Sequence, residues 1–219
     1  MKQKLYIDLC DTLVKGNTTL LFVDSFLSSN WKYKIVRRVS KLLMVRIFCK
    51  LMSYFKYDIR RLLFIRFLFG FQRKTLLQHA RKLAQDSFEY NIEIIDLIET
   101  AKQKNCDVYI ISASLDFIVE AVSEKFDVRY LSTELEYKHG ICLGRFKSDL
   151  LFSKKDVLQR CSSIDHEIVF ISDNIQDIEV LTSVIHGFGI YNDKNREVFS
   201  RSEIKEFIYS DVVKVLQGV

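Results

Sequence analysis

Polar residues that could do chemistry follow three separate apolar runs of the sequence. Asp8, Ser112 and Asp173 stand where these runs end. In open α/β sheets, ligands bind beyond the carboxyl ends of the strands, so adjacent strands would bring these side chains close together. Asp8 and Asp173, with Asp177 one helical turn further along, offer the hard oxygen ligands that Mg²⁺ prefers. Together with Ser112 and a lysine, they predict phosphoryl transfer, in which a carboxylate can act as the nucleophile.

The elements needed to position these residues alternate along the chain. Continuous apolar runs predict buried strands, and apolar spacings of three and four predict helices. Strands that alternate with helices favour a mostly parallel, doubly wound α/β sheet. The expected strands lie at about 5–7, 108–111, 130–137, 141–146, 168–171 and 188–191, and the expected helices at about 36–47, 76–83, 92–101, 115–122, 154–161 and 177–185.

Four short segments around the candidate residues form an ordered set. They are Asp8–Leu13, Ile110–Ser114, Ser153–Leu158 and Ser172–Asp177. The set resembles the four motifs of the haloacid dehalogenase (HAD) superfamily, in its phosphoserine-phosphatase-like branch, and the stretch 132–145 also looks like this branch. The resemblance covers about residues 1–14 and 100–190. It implies a Rossmann-like parallel-sheet core at 1–14 plus 100–219, interrupted after its first strand by an inserted helical cap domain at 15–99.

The resemblance assigns the acidic residues to nucleophilic catalysis and to metal binding. Asp8 would attack phosphorus and form an aspartyl phosphate. Mg²⁺ would be held by the other oxygen of Asp8, by the backbone carbonyl of Cys10 and by Asp173. Asp177 would complete the metal site, directly or through a water molecule.

The same resemblance implies a set of residues around the phosphoryl group. Ser112 would donate a hydrogen bond to a phosphoryl oxygen, with Ala113 beside it in the substrate-binding loop. Thr12 would shape the loop that follows the nucleophile. Lys154 would neutralise the charge on Asp8 and on the phosphate, and Lys155 is the alternative because either residue could face the site at this helix start.

Cys10 departs from the pattern of the family. The phosphatases of the family carry a second Asp there, which protonates the leaving group and then activates water. A cysteine with an ordinary pKa near ~8.5 replaces it poorly, and general acid–base help is worth about 10²–10⁴ in rate. Asp11 is adjacent, but neighbouring residues usually point in different directions. Two alternatives to a full phosphatase follow: a weakened or non-hydrolytic protein that binds a phosphorylated ligand, and one that cleaves a different bond.

Charge is distributed unevenly along the chain. Residues 31–74 hold 13 Lys and Arg against one acid, Asp58, which gives this segment +12 while the whole chain carries +5. The segment is also apolar and aromatic. Three interpretations stand: a helical cap with a solvated basic face, a cap that attracts an anionic substrate, and peripheral contact of a basic cap with an anionic membrane surface. We expect no nucleic-acid binding, because the segment carries no recognised nucleic-acid motif.

Composition excludes several classes of protein. The 219 residues are 48% hydrophobic and 28% charged and include no proline, which argues against disordered and low-complexity chains. No uncharged apolar stretch reaches the ~18 residues of a transmembrane helix, and no signal-peptide pattern is seen. Five scattered cysteines without CxxC spacing indicate neither a disulfide framework nor a zinc site. We therefore expect a reduced, cytoplasmic protein.

The function expected from the sequence is a Mg²⁺-dependent phosphatase acting on a small phosphomonoester metabolite through an aspartyl-phosphate intermediate. Sugar, amino-alcohol and amino-acid phosphates are the expected substrate classes, and the sequence does not distinguish among them. It also leaves the oligomeric state open.

Overall fold

A computed structural model describes residues 2–42, 58–161 and 166–218 of the chain. The strands in these residues are β1 (Lys2–Ile7), β2 (Asp107–Leu115), β3 (Arg129–Lys138), β4 (Ile141–Ser148), β5 (His166–Ser172), β6 (His186–Gly189) and β7 (Lys205–Glu206). They form one sheet in the order β4-β3-β2-β1-β5-β6-β7. All neighbouring strands pair in parallel except β3 and β4, which form an antiparallel hairpin.

Ten α-helices accompany this sheet in the described part of the chain. They are α1 (Thr18–Phe26), α2 (Trp31–Val39), α3 (Ile59–Arg66), α4 (Arg73–Asp86), α5 (Ile92–Gln103), α6 (Asp116–Phe126), α7 (Lys154–Cys161), α8 (Ile178–Ser183), α9 (Arg196–Arg201) and α10 (Tyr209–Gln217). The expected α/β, Rossmann-like parallel-sheet core is confirmed. None of the helices described is long and apolar enough to cross a membrane.

Strand β1 lies at the centre of the sheet and is buried on both faces. Leu5 and Ile7 belong to one apolar cluster, whereas Tyr6 packs into the other cluster beside Phe170. Because both faces are covered, the strand reads as a continuous apolar run rather than as an alternating one. This placement puts Asp8, the next residue, in the middle of the carboxyl edge of the sheet.

Strands β2 and β6 differ from the sequence prediction in ways that bear on the site. Strand β2 continues past Ser112 to Leu115, with an irregular register between these two residues. Strand β6 lies at His186–Gly189 instead of 188–191, where it pairs in parallel with Val169–Ser172 of β5. A Cβ on Gly187 would come within 2.0 Å of the Leu181 carbonyl oxygen. Glycine is therefore needed there for close approach of helix α8, and apolar periodicity does not record that need.

The division into cap and core stays a prediction. Helices α1 to α4 lie between β1 and α5, as the expected insertion at 15–99 requires. Helix α5 runs through position 99 without a break and packs against α10 and β2. The expected helical positions 43 and 47 lie outside the described residues.

The β3–β4 hairpin joins the segment between α3 and α4 to the sheet. Backbone hydrogen bonds link Gly70 and Phe71 to Cys142, at 2.9 Å each, and Arg73 to Gly140 at 2.8 Å. Gly144 adopts φ +62°, and a Cβ there would lie 3.3 Å from the backbone of Arg66. The hairpin therefore approaches this helical segment too closely for a larger residue.

Candidate active site

The predicted carboxyl-edge cluster forms where β2, β1 and β5 end side by side. Asp8 follows β1 directly, and its backbone N–H donates to the Ile171 carbonyl at 2.9 Å. Ser112 lies in β2 on one side, and Asp173 follows β5 on the other. The parallel register places all three at one edge of the sheet.

Lys154 links two carboxylates at the bottom of this edge. Its Nζ lies 2.8 Å from Oδ1 of Asp8 and 2.7 Å from Oδ2 of Asp177. The three side chains are at most 4% exposed. The Ser172 hydroxyl also donates to Oδ2 of Asp177 at 2.7 Å. Asp177 is thus engaged by Lys154 and Ser172, and its part in a metal site stays a prediction.

The structure distinguishes the two candidate lysines. Lys154 begins helix α7 and points inward, whereas the Lys155 side chain is 39% exposed and its Nζ lies 3.7 Å from Glu179. Residues adjacent on a helix differ by about 100° in direction. Lys154 is therefore the lysine that faces Asp8.

Burial and neighbouring charges have opposite effects on the pKa values of Lys154 and Asp8. Burial alone would lower the pKa of Lys154, but Asp177 and Asp8 outweigh it and raise that pKa above its usual value. Burial raises the pKa of Asp8, and Lys154 opposes this rise. Lys154 thus stays charged, and its charge compensates the Asp8 carboxylate, which would be costly to bury without a partner.

No lysine or arginine among the described residues forms such an ion pair with Asp173. Its carboxylate accepts hydrogen bonds from Thr12 Oγ1 and Asn192 Nδ2, both at 3.3 Å, and its backbone N–H donates to Thr12 at 3.0 Å. Burial first, and then the charges of Asp8 and Asp11, raise the pKa of Asp173 to about 7. Thr12 therefore fixes the loop after β5, which carries the Asp173 carboxyl group.

The donor set fits a hard divalent cation. Asp8 and Asp173 supply carboxylate oxygens, and a bound cation would offset the repulsion between these two negative charges. Within the described residues, no cluster of three or more His, Cys, Asp and Glu side chains forms a metal site by itself. The third predicted ligand, the Cys10 carbonyl, is a backbone group and would complement the two side chains.

The predicted substrate loop after Ile111 lies beside Cys10. Ser112 is 1% exposed, and its Oγ accepts the backbone N–H of Ser114 at 3.1 Å. The Cys10 Sγ lies 3.2 Å from the hydroxyls of both Thr18 and Ser114, which are 2.6 Å from each other. Burial and then the Asp8 charge raise the pKa of Cys10, so the thiol stays protonated at neutral pH.

Asp11 points away from this group. It adopts φ +54°, and its Oδ1 accepts the Gly16 N–H at 2.6 Å. Cys10 lines the cavity above Asp8, whereas Asp11 is not among the described residues that line it. Asp11 lines a neighbouring cavity, together with Asp173 and Cys10. Asp11 thus does not take the position of the missing acid.

The cavity above Asp8 has a volume of about 220 Å³. Two arginines from helix α3, Arg60 and Arg61, contribute to it together with Asp8, Ser112 and Lys154. The Nε atom of Arg60 is buried and has no hydrogen-bond partner among the residues described. Arg60 therefore adds a cationic side chain to the wall of the cavity.

Both terminal nitrogens of Arg61, by contrast, form hydrogen bonds with other residues. Its Nη1 lies 2.6 and 2.8 Å from the two oxygens of Asp149, and its Nη2 donates to Thr133 at 2.9 Å and to the Ala113 carbonyl. The guanidinium also stacks 4.5 Å from the Phe146 ring centroid. Arg61 thus ties α3 to the substrate loop, in which Ala113 was predicted.

Comparison with known families decides the identity of this arrangement. A family profile described as haloacid dehalogenase-like hydrolase matches residues 7–182. The chain belongs to this family. The match contains Asp8, Ser112, Lys154, Asp173 and Asp177, so it agrees with the resemblance carried by the four motifs. The search of curated proteins returned no match to this HAD-family chain.

Solved structures share the HAD fold at low sequence identity. A Bordetella pertussis Tohama I protein of unknown function is 17% identical with a TM-score of 0.72, covering 95% of this chain and 99% of its own. A phosphoserine phosphohydrolase-like protein from Francisella tularensis subsp. tularensis SCHU S4 is 16% identical with a TM-score of 0.63, covering 97% and 99%. A phospho-aspartyl intermediate analogue of phosphoserine phosphatase is 15% identical with a TM-score of 0.62, covering 98% and 99%.

Sequence reasoning missed several residues of this HAD site. Thr18 and Ser114 approach Cys10, Ser172 positions Asp177, and the two arginines reach the cavity from α3. Ser114 and Ser172 stand inside recognised motifs and could have been singled out there. The arginines lie in the basic segment 31–74. The charge of this segment is visible in the sequence, but its periodicity does not identify which basic residues face inward.

Proposed function

We propose that the protein is a phosphatase that hydrolyses small phosphomonoesters through an aspartyl phosphate on Asp8. The observation that carries this proposal is the buried Lys154, shared by Asp8 and Asp177 beneath a cavity that Ser112 also lines. A nucleophilic carboxylate needs a nearby positive charge when a phosphate dianion approaches it. Lys154 is placed to supply that charge.

Each residue of the cavity then has a distinct task. An oxygen of Asp8 attacks phosphorus as the bond from phosphorus to the ester oxygen breaks, and the alcohol leaves with a proton taken from water. Lys154 offsets the negative charge of both partners, and a second water then hydrolyses the aspartyl phosphate to free phosphate. Ser112 donates a hydrogen bond to a phosphoryl oxygen and, with the neighbouring backbone of Ala113, orients the group. Asp177 and the Ser172 hydroxyl hold Lys154 in place.

The proposal includes Mg²⁺ bound by Asp8, Asp173 and the Cys10 carbonyl. The unneutralised Asp173, with a pKa of about 7, supports it. When bound, the metal ion would offset charge on the phosphoryl group. Thr12 positions Asp173 from both its carboxylate and its backbone side.

Cys10 makes the hydrolysis slow. Its thiol has a raised pKa and is hydrogen-bonded to two hydroxyls, so it is a weak acid toward the leaving group and a weak base toward water. General acid–base help of about 10²–10⁴ in rate is therefore missing. The same observation favours a second candidate function, a non-hydrolytic protein that binds a phosphorylated ligand in this cavity or cleaves a different bond.

The substrate class follows from the size and charge of the cavity. A volume of about 220 Å³ suits a small metabolite rather than a polymer, and the cationic side chains of Arg60 and Lys154 in the cavity wall favour an anionic one. The helical segment 15–99 would act as the cap that supplies this arginine. A cytoplasmic location also belongs to the proposal, because the five cysteines are scattered and lack CxxC spacing, which does not indicate a disulfide framework.

The test is phosphate release from a panel of sugar, amino-alcohol and amino-acid phosphates in the presence of Mg²⁺. We expect slow turnover of at least one panel member by the native chain and none by Asp8→Asn. Asp156→Asn, which alters an exposed carboxylate on α7, is the matched control and should keep native activity. Absence of Asp8-dependent release from the whole panel would favour the non-hydrolytic candidate.

A further inference from the structure

Helix α2 exposes an apolar stripe on the face opposite the protein interior. Tyr33 and Ser40 are 2% and 4% exposed, and Tyr33 packs on Phe64 with ring centroids 5.8 Å apart. At about 100° per residue, Trp31 and Ile35 point away from Tyr33, with Val39 close beside them, and Leu42 lies in the turn that follows the helix. We call these four residues the outer stripe; they are 65%, 50%, 58% and 45% exposed for Trp31, Ile35, Leu42 and Val39 respectively.

Basic residues flank the outer stripe on both sides. By helical position, Lys34 lies along one edge and Lys32 along the other, and Arg38 is on the same side as Trp31 about two turns further along. Lys41 lies in the turn that follows the helix. None of the four forms an ion pair with any residue that the structure describes, and the sequence has no acid from 31 to 42. Arg37, by contrast, points inward and is paired with Asp24 at 2.8 Å.

A partner that binds the outer stripe must meet two requirements at once. The stripe needs an apolar layer, because four apolar side chains of α2 and the turn after it are exposed to water. The flanking cations need negative charge next to that apolar layer, within reach of their long side chains. We propose that helix α2 docks the protein on an anionic phospholipid bilayer, with the outer stripe at the acyl boundary and the four cations at the headgroups.

Other occupants meet only one of these requirements. A second copy of this helix would offer an apolar stripe but would bring the same unpaired cations together, which charge repulsion disfavours. Nucleic acid would offer negative charge but no apolar layer for Trp31. An anionic bilayer offers both, and an amphipathic helix with Lys and Arg beside a Trp-bearing face is the usual interfacial element.

Trp31 gives this proposal a direct signal. It is the only tryptophan in the chain, so the fluorescence of the native protein reports on the outer stripe alone. Vesicles of phosphatidylglycerol and phosphatidylcholine in equal amounts should shift its emission to the blue, and high salt should reverse the shift. Pure phosphatidylcholine vesicles should leave the emission nearly unchanged.

A matched pair of double variants tests the two components. Lys34→Gln with Ile35→Ser alters the stripe and its edge, whereas Lys104→Gln with Ile185→Ser alters one exposed cation and one exposed isoleucine outside α2. Loss of one cation alone should weaken vesicle binding about fivefold, and loss of the isoleucine should weaken it further. The control pair should bind as the native protein does, and circular dichroism verifies that both variants are folded.

Several outcomes would overturn the proposal. They are an unchanged Trp31 emission with anionic vesicles, an equal shift with neutral vesicles, and equal binding by the two double variants. A blue shift that grows with protein concentration in the absence of vesicles would assign the stripe to a second copy of the chain instead.

Discussion

Lys154 Nζ lies 2.8 Å from Oδ1 of Asp8, and both side chains are 4% exposed. A buried lysine next to a buried carboxylate is stable only as a pair, because each group would otherwise carry an uncompensated charge. The pair stands at the bottom of a cavity rather than inside the apolar core. It therefore contributes both to the stability of the fold and to the chemistry proposed for the site.

Lys154→Ala should damage activity and stability together. Loss of the cation should reduce kcat by about 10²–10³, and leaving Asp8 and Asp177 unpaired should lower the free energy of unfolding by about 3–5 kcal/mol. Phosphate release and denaturant unfolding measure the two effects. Lys155→Ala is the matched control and should change neither; equal effects of the two substitutions would refute the assignment of Lys154.

Cys10→Asp should accelerate hydrolysis. The new carboxylate would be placed beside Asp8 with the Thr18 and Ser114 hydroxyls near it, as the thiol is now. General acid–base help should raise kcat by about 10²–10⁴ and introduce a new pH dependence in the rate. Cys10→Ser, which keeps the size but not the acid, should stay near native activity, and a Cys10→Asp variant no faster than Cys10→Ser would contradict this account.

Mg²⁺ affinity should depend on pH through Asp173. Its pKa is raised to about 7, so below that pH the carboxyl holds a proton that metal binding must displace. The apparent affinity should therefore weaken about tenfold per pH unit below pH ~7 and become level above it. Calorimetric Mg²⁺ titrations across this range measure the slope, with Asp173→Asn as the control. A flat profile would show that Asp173 does not bind the metal.

The two arginines of helix α3 should respond differently to truncation. Arg60→Ala should raise KM for an anionic substrate about 10–100-fold with little effect on folding, since one charged hydrogen bond is lost on binding. Arg61→Ala should lower the free energy of unfolding by about 2 kcal/mol, because Asp149 and Thr133 lose their partner. Steady-state kinetics and unfolding curves separate the two, and a reversed pattern would contradict the assignment.

Much of the site could be predicted because its residues follow local signals. Asp8, Ser112 and Asp173 were placed by the apolar runs before them, and parallel pairing of β1 with β2 and β5 brings the ends of those runs together. The helix at 154–161 was expected at the positions where α7 lies. Periodicity alone left Lys154 and Lys155 open, since only packing against Asp8 fixes which lysine faces inward.

The remaining parts depend on contacts that are distant in sequence. The bounds of strand β6 are set by its pairing with β5, and the close approach of the Leu181 backbone to Gly187 is not revealed by any apolar pattern. The inward direction of Arg61 is set by Asp149, 88 residues away. The expected positions 43 and 47 fall outside the described residues, so the prediction there stays untested.

The most direct test of the account is detection of the phosphoryl group on Asp8. Because Cys10 activates water poorly, the aspartyl phosphate should persist long enough to be trapped by acid quenching after mixing with substrate and Mg²⁺. Peptide mass spectrometry should then find one phosphoryl group on Asp8 in the native chain, less of it in Cys10→Asp, and none in Asp8→Asn. Phosphate release without any phosphorylated Asp8, or with unchanged release in Asp8→Asn, would contradict the central claim.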